Sequence, residues 1–90
     1  MQQIEDLREK IDKVDIRILL ALKDRTELSK TIGSLKRKHN LPIKDSLREA
    51  TIYDWLEENS RKMGLNLDKV KDIYEKIIEM CINAQLTEKG

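Results

Sequence analysis

Apolar residues recur at every third or fourth position between residues 4 and 35, except at position 25, and no other feature limits the possible folds so strongly. These residues are Ile4, Leu7, Ile11, Val14, Ile18, Ala21, Leu28, Ile32 and Leu35. Alternating steps of three and four are typical of a helix with one apolar seam along its length. The spacing predicts a helix from about residue 4 to 38, which at about 1.5 Å per residue is on the order of 50 Å long.

The remainder of the chain predicts two shorter helices. Pro42 follows the end of the first helix, because proline disfavours helical backbone in the residue before it. A second helix is predicted to begin near Asp45-Ser46, where Ser46 and Glu49 have the spacing of a capping box, and to end at Gly64. A third is predicted to begin near residues 66–68 and to carry an apolar stripe.

The lengths of these helices have a consequence for assembly. Helices of about 18 to 20 residues, roughly 30 Å, cannot cover a first helix of about 50 Å. A long uncovered apolar stripe is typical of a partner surface, and a chain of 90 residues has a small core of its own. We therefore expect an all-α fold with three helices per chain, one very long, in an intertwined helical homodimer. Residues 1–90 are expected to form a single domain.

Composition argues against several classes of protein. With 18 basic and 17 acidic residues the net charge is +1, far from the basic balance of a general nucleic-acid binder. No apolar run approaches the roughly 18 to 20 residues of a membrane span, and the N-terminus lacks the basic-then-apolar order of a secretory signal. A cytoplasmic protein is expected. One cysteine and one histidine predict neither a disulfide nor a metal site, so we expect no cofactor.

Two cationic residues lie on or near the apolar face of the first predicted helix. Arg25 stands in the seam where an apolar residue is expected, and Lys36 follows it by eleven residues. Three helical turns separate them, so both lie on nearly the same face about 16 Å apart. Together they could bracket a small molecule with two negative charges. The alternatives are a carboxylate partner or a register-setting role for Arg25, and a place in a solvated basic run for Lys36.

Other polar residues lie beside the predicted apolar faces. Arg8 is roughly 25 Å from Arg25 along the axis, so it could reach that region only in an antiparallel partner chain, and the alternative is a surface arginine. Glu49 could cap the second helix or face the loop after the first. Gln85 directs an amide where an apolar residue is expected. Cys81 is interpreted as a small core residue, since no histidine is placed to activate it.

Taken in order, these residues resemble the all-helical AroQ-type, or type II, chorismate mutases. The resemblance covers about residues 4 to 86 with the spacing typical of that family. It rests on Leu7 to Asp12, Asp15, Leu19 to Arg25, Ile32-Gly33 followed by Lys36, Leu41 to Ile43, Asp45, Arg48 to Ala50, and Gln85. The family rearranges chorismate to prephenate, the branch step toward phenylalanine and tyrosine. The resemblance implies two identical sites in an intertwined dimer.

The resemblance also implies a role for each matching residue. Arg8 would be donated across the dimer, and Arg25 and Lys36 would hold the substrate carboxylates. Arg48 would support the anion site. Lys36 and Gln85 would both donate to the ether oxygen.

Two acidic residues and a cysteine complete the implied site. Glu49 would accept from the ring hydroxyl, and the region of Asp45 would help to bind that hydroxyl. Cys81 stands where the family frequently has serine, which weakens any hydroxyl contact to a carboxylate.

A concerted rearrangement needs neither a nucleophile nor a proton shuttle. The enzyme has to hold the dianion in a compact conformer and stabilise negative charge on the ether oxygen. Two alternatives stay open. An isochorismate-pyruvate lyase shares this scaffold, although Glu49 favours chorismate. The other is a non-catalytic helical dimer that docks onto a partner enzyme.

Overall fold

The computed structural model describes residues 1–87 and contains three helices and no strand in that part of the chain. Helix α1 spans Gln2–Lys38, α2 spans Ser46–Met63 and α3 spans Leu67–Thr87. The prediction of an all-α chain with one very long helix is confirmed. No helix among these residues combines the length and hydropathy needed to cross a membrane.

The helix ends follow local chemistry, with one correction. Asp45, not Ser46, caps α2: its Oδ1 accepts from the backbone N–H of Arg48 at 3.0 Å. The predicted capping box of Ser46 and Glu49 is therefore wrong. Asp and Ser are equally good caps, and the aspartate comes one residue earlier, so Ser46 becomes the first helical residue. Gly64 ends α2 with φ of 69°, a left-handed conformation that glycine adopts readily.

Helix α3 packs against both other helices, whereas no Cα atoms of α1 and α2 within residues 1–87 approach to 8 Å. The molecule measures 57 × 28 × 15 Å, so its thinnest dimension is little more than one helix. Its radius of gyration is 16.5 Å, against about 12 Å for a compact chain of this length. The single chain is an elongated layer of helices.

The predicted apolar seam of α1 stays exposed along its whole length. From Ile4 to Leu35, its large side chains are each between 41% and 67% exposed. The residues of α1 that are buried are instead Ser29 and Gly33, on a neighbouring row of small side chains. Small residues let α3 approach α1 closely, which leaves the seam free for other contacts.

Gly33 marks the tightest contact between α1 and α3. A Cβ atom built on Gly33 would lie 2.9 Å from Gln85 Cβ and 3.1 Å from Gln85 Cα. One of these neighbours is backbone, which cannot rotate away. A larger residue at position 33 would therefore push α3 off α1.

We predict that Gly33→Ala lowers the free energy of unfolding by about 1 kcal/mol, since overpacking against backbone costs about 2 kcal/mol and alanine regains about 1 kcal/mol of helix propensity. Urea unfolding at one fixed protein concentration measures this. Lys30→Ala on the exposed face of α1 is the control and should not be destabilised. Equal unfolding midpoints for Gly33→Ala and the parent protein would contradict the prediction.

Candidate active site

A cavity of about 270 Å³ lies where the three helices face one another. This volume is close to the lower end of small-molecule sites, about 300 Å³. Seven of the eight predicted site residues line it: Arg25, Lys36, Asp45, Arg48, Glu49, Cys81 and Gln85. Its apolar walls are formed by Leu28, Ile32, Ile52, Ile78 and Ile82. A small ligand with an apolar body and charged groups fits such a lining.

Arg25 is held by a sulfur atom. Its Nη1 donates to Cys81 Sγ at 2.9 Å, and the thiol is only 3% exposed. Within residues 1–87 no carboxylate oxygen lies within 4.0 Å of the Arg25 guanidinium, so it forms no ion pair there. A thiol is a weak acceptor, and a guanidinium has five N–H donors. Arg25 therefore keeps most of its hydrogen-bonding capacity for an anion.

Lys36 is fixed to the loop between α1 and α2. Its Nζ donates to the backbone carbonyl of Ile43 at 2.8 Å, and the residue is half-buried. It is thus not simply one of a solvated basic run. An ammonium has three donors, and two of them remain for other acceptors. The loop carbonyl holds the charge at the edge of the cavity.

Gln85 provides a buried amide. The residue is 8% exposed, and its Oε1 is buried without a hydrogen-bond partner in the described part of the chain. Buried polar atoms are nearly always paired, so this position is suited to a ligand. A half-turn of the amide exchanges its oxygen and nitrogen, and it can then present an N–H donor at the same place. The sequence pattern alone places an amide on this stripe, and the structure shows that it is buried.

The acidic residues are engaged at the start of α2. Glu49 Oε2 lies 3.0 Å from Lys44 Nζ, and the Glu49 side chain is 24% exposed. Asp45 is exposed and uses Oδ1 for the helix cap. Neither carboxylate pairs with Arg25 or Lys36 in residues 1–87. The cations of the cavity are therefore not neutralised from within this part of the chain.

The arginines extend the site to one side. Arg25 and Arg48 also line a second depression, of about 350 Å³, together with Trp55 and Tyr74. Arg25 and Arg48 line both this depression and the cavity, so the two are adjacent. Its walls come from the same three helices, and it gives the cavity an open flank.

Arg8 is the one predicted site residue that the structure does not bring to the cavity of its own chain. It is exposed on the first half of α1, seventeen residues before Arg25. Seventeen residues of helix are about 25 Å, well beyond the reach of a side chain. Its role therefore stays a prediction that depends on a second chain.

Ser29 is a cavity residue that the sequence reasoning missed. It is 8% exposed and lies one helical turn after Arg25, on the row that includes Gly33. Its spacing from Arg25 could have identified it, because residues four apart share a helix face. A serine carries no charge and does not interrupt an apolar stripe, so nothing in the sequence pattern identifies Ser29 as a cavity residue.

The arrangement is suited to anion binding without covalent chemistry. Arg25, Lys36 and Arg48 bring three cations to one cavity, and Gln85 adds a neutral polar group. In residues 1–87 there is no cluster of three or more metal-binding side chains. Charged hydrogen bonds from cations to a ligand with two carboxylates are the interaction this geometry favours.

Comparison with known proteins gives a consistent picture. Residues 7–86 match the family model described as chorismate mutase type II. A bifunctional chorismate mutase/prephenate dehydratase from Aquifex aeolicus is 32% identical over 88 residues, covering 94% of this chain and 24% of the relative. A chorismate mutase from Methanocaldococcus jannaschii is 28% identical, covering 88% of this chain and 80% of the relative.

A third relative, a T-protein from Haemophilus influenzae, is 28% identical and is covered over 21% of its length. The chain thus spans about a quarter or less of two of these three relatives. No solved structure matched the chain significantly. Since the family model covers nearly all of the sequence, the chain belongs to the type II chorismate mutase family.

Proposed function

We propose that the protein catalyses the rearrangement of chorismate to prephenate, the step that leads toward phenylalanine and tyrosine, within a single domain. The observation that carries this proposal is a cavity whose cations, Arg25 and Lys36, have no carboxylate partner in residues 1–87 and face a buried amide, Gln85. Chorismate carries two carboxylates and an ether oxygen. Cations are suited to bind the carboxylates, and a hydrogen-bond donor is suited to bind the ether oxygen.

The first task of the site is to hold the substrate in a reactive conformer. Arg25 and Arg48 lie on different helices and face the same cavity, so they can bind one carboxylate from two directions. Lys36 approaches from the far end of α1. Cations fixed on rigid helices bring the two reacting carbons together and remove the entropy cost of ordering a flexible dianion at the barrier.

The second task is to stabilise the ether oxygen as its bond to carbon breaks. Lys36, anchored by the Ile43 carbonyl, is suited to donate to it. Gln85 has a buried amide whose oxygen has no partner in residues 1–87, and a half-turn of that amide presents its Nε2 N–H as a second donor. A preorganised donor of this kind contributes roughly 3 to 4 kcal/mol. Bond breaking and bond making are concerted, so no group of the protein has to form a covalent intermediate or transfer a proton.

Glu49 and Asp45 are proposed to bind the ring hydroxyl. Both lie at the start of α2 on the cavity wall, and a carboxylate oxygen can accept from a hydroxyl. Cys81 is proposed to act through Arg25, whose guanidinium it contacts. A hydroxyl contact from Glu49 supports chorismate as the substrate. A cytoplasmic location stays a prediction from the sequence.

The proposal includes a homodimer. The chain exposes 7474 Å², about 2,000 Å² more than the roughly 5,500 Å² typical of a folded monomer of this mass. The exposed seam from Ile4 to Leu35 supplies much of the apolar part. Two antiparallel α1 helices would cover it and would bring Arg8 of each chain to the open flank formed by Arg25 and Arg48 of the other.

We predict that the purified protein converts chorismate to prephenate and that Lys36→Met lowers kcat at least about a hundredfold, because one lost donor to the ether oxygen costs about 3 kcal/mol. Loss of chorismate absorbance measures the rate. Lys38→Met removes the same charge two residues away on the exposed surface and should leave the rate unchanged.

A fully active Lys36→Met protein would refute this mechanism. Isochorismate supplied under the same conditions tests the lyase alternative, since pyruvate would be released from that substrate. Dimerisation without binding of either dianion would support the non-catalytic alternative.

We predict that Gln85→Glu gains activity as the pH falls. An amide donates at every pH, whereas a glutamic acid side chain, with an ordinary pKa of about 4.3, donates only when protonated. The rate of the variant should therefore rise toward acidic pH while the parent enzyme changes little. Gln85→Met, which cannot donate at any pH, is the control, and a flat profile for Gln85→Glu would count against the assignment.

We predict that mixing two inactive variants, Arg8→Ala and Arg25→Ala, restores activity. In a hybrid dimer one of the two sites would contain both native arginines, because each site draws Arg8 from the opposite chain. Random exchange yields about half hybrid dimers, so about a quarter of the native activity should return. No recovery after mass spectrometry has demonstrated subunit exchange would exclude a site shared between chains.

A further inference from the structure

Arg37 connects the end of α1 to the end of α3. Its Nη1 donates to the backbone carbonyl of Gln85, and its Nη2 lies 3.3 Å from the hydroxyl oxygen of Ser34. The first bond joins residues 48 positions apart in the sequence. Arg37 does not line the cavity. It contacts the backbone of a residue that does.

The bond from Arg37 ties the C-terminal part of α3 to α1. Gln85 lies in the last described turn of α3, which spans Leu67–Thr87, and that described turn contains no basic residue. The donor to the Gln85 carbonyl is a guanidinium from another helix, and hydrogen bonds from charged groups are the strong ones. Without this bond, the described end of α3 would lose a charged contact to α1.

The position of the Gln85 amide depends on its backbone. Within residues 1–87 no hydrogen bond is formed by either atom of its side-chain amide, so nothing polar on the cavity wall fixes it directly. Its backbone is held on one side by the close approach of Gly33 and on the other by Arg37. The first contact limits how near α3 can come to α1, and the second prevents it from moving away.

We propose that Arg37 is a positioning residue that binds the backbone of α3 from α1 and thereby holds the Gln85 amide at the reacting ether oxygen. This inference rests on the proposed chorismate mutase activity. Arg37 touches no reacting atom. Its effect should therefore appear in the chemical step and should pass entirely through Gln85.

The first test is Arg37→Met assayed with chorismate. We expect kcat to fall about tenfold, because small misplacement of a catalytic group has large effects on rate, while KM changes less than about twofold, since the carboxylate-binding cations are untouched. Arg37→Lys keeps one charged donor and should recover part of the loss. Lys38→Met is the matched control for charge at the end of α1 and should behave as the parent enzyme.

A double-mutant cycle separates positioning from general stability. In a Gln85→Met background, Arg37→Met should cause no further loss of affinity for a bicyclic dicarboxylate that carries an ether oxygen, measured by calorimetry. An equal loss in both backgrounds would overturn the inference. Hydrogen exchange of residues 84–87 in the ligand-free protein gives a readout without substrate, and Arg37→Met should increase it.

The outcomes distinguish this inference from the proposed function. An active parent enzyme with unchanged kcat in Arg37→Met, or with unchanged exchange at the end of α3, overturns the role of Arg37 alone. A parent protein that neither binds nor converts chorismate overturns the proposed function and the inference together.

Discussion

The site depends on one contact, the approach of α3 to α1 where α1 has almost no side chain. Gly33 lets the backbone of Gln85 come within about 3 Å of where a Cβ would stand. Because α1 and α3 are rigid rods, fixing this point also fixes the row of residues above it. Cys81, one turn earlier on α3, then meets Arg25 on α1. The relative positions of Arg25 on α1 and the Gln85 amide on α3 therefore depend on Gly33 having no Cβ atom.

The cations of the cavity have no ion-pair partner in residues 1–87, which fits the proposed binding of an anion. An unpaired charge in an apolar surface destabilises a protein, and natural cores avoid it. Within residues 1–87, Arg25 donates to a weak sulfur acceptor and Lys36 to one carbonyl. The two carboxylates that line the cavity are engaged elsewhere, Glu49 with Lys44 and Asp45 with the start of α2.

The spacing of apolar residues, together with the residues that end helices, was sufficient to predict the three helices. The apolar steps from Ile4, the proline at position 42 and Gly64 predict three helices close to those observed. They could not choose between two adjacent capping residues, Asp45 and Ser46, since both bind a backbone N–H equally well. They also could not show that α3 would pack beside the seam and not on it. That choice depends on the shape of two surfaces in contact, which a spacing rule does not describe.

For the site, charge in an apolar pattern was the useful signal. Arg25 and Gln85 are polar residues at positions where the sequence pattern expects apolar ones, and Lys36 follows Arg25 by three helical turns; the structure brings all three to one cavity. The groups that hold them in place give no such signal. The carbonyl of Ile43 that anchors Lys36 belongs to the backbone, and in the sequence Arg37 resembles any surface cation, whereas in the structure it binds the Gln85 carbonyl on α3. Ser29 likewise has no distinctive feature in the sequence. The identity of a side chain indicates which interactions it can make, whereas the groups that hold it in place are known only from the structure.

The thinness of the molecule, 15 Å in its shortest dimension, bears on how such a chain tolerates change during evolution. A single layer of helices has a small interior: among the described residues the buried apolar side chains are Leu56, Ile78 and Cys81, and no large side chain is fully buried. In the proposed two-fold assembly, every altered seam residue would meet the interface twice, once from each chain. The effect of one substitution in the long helix, favourable or unfavourable, would therefore be doubled in that assembly.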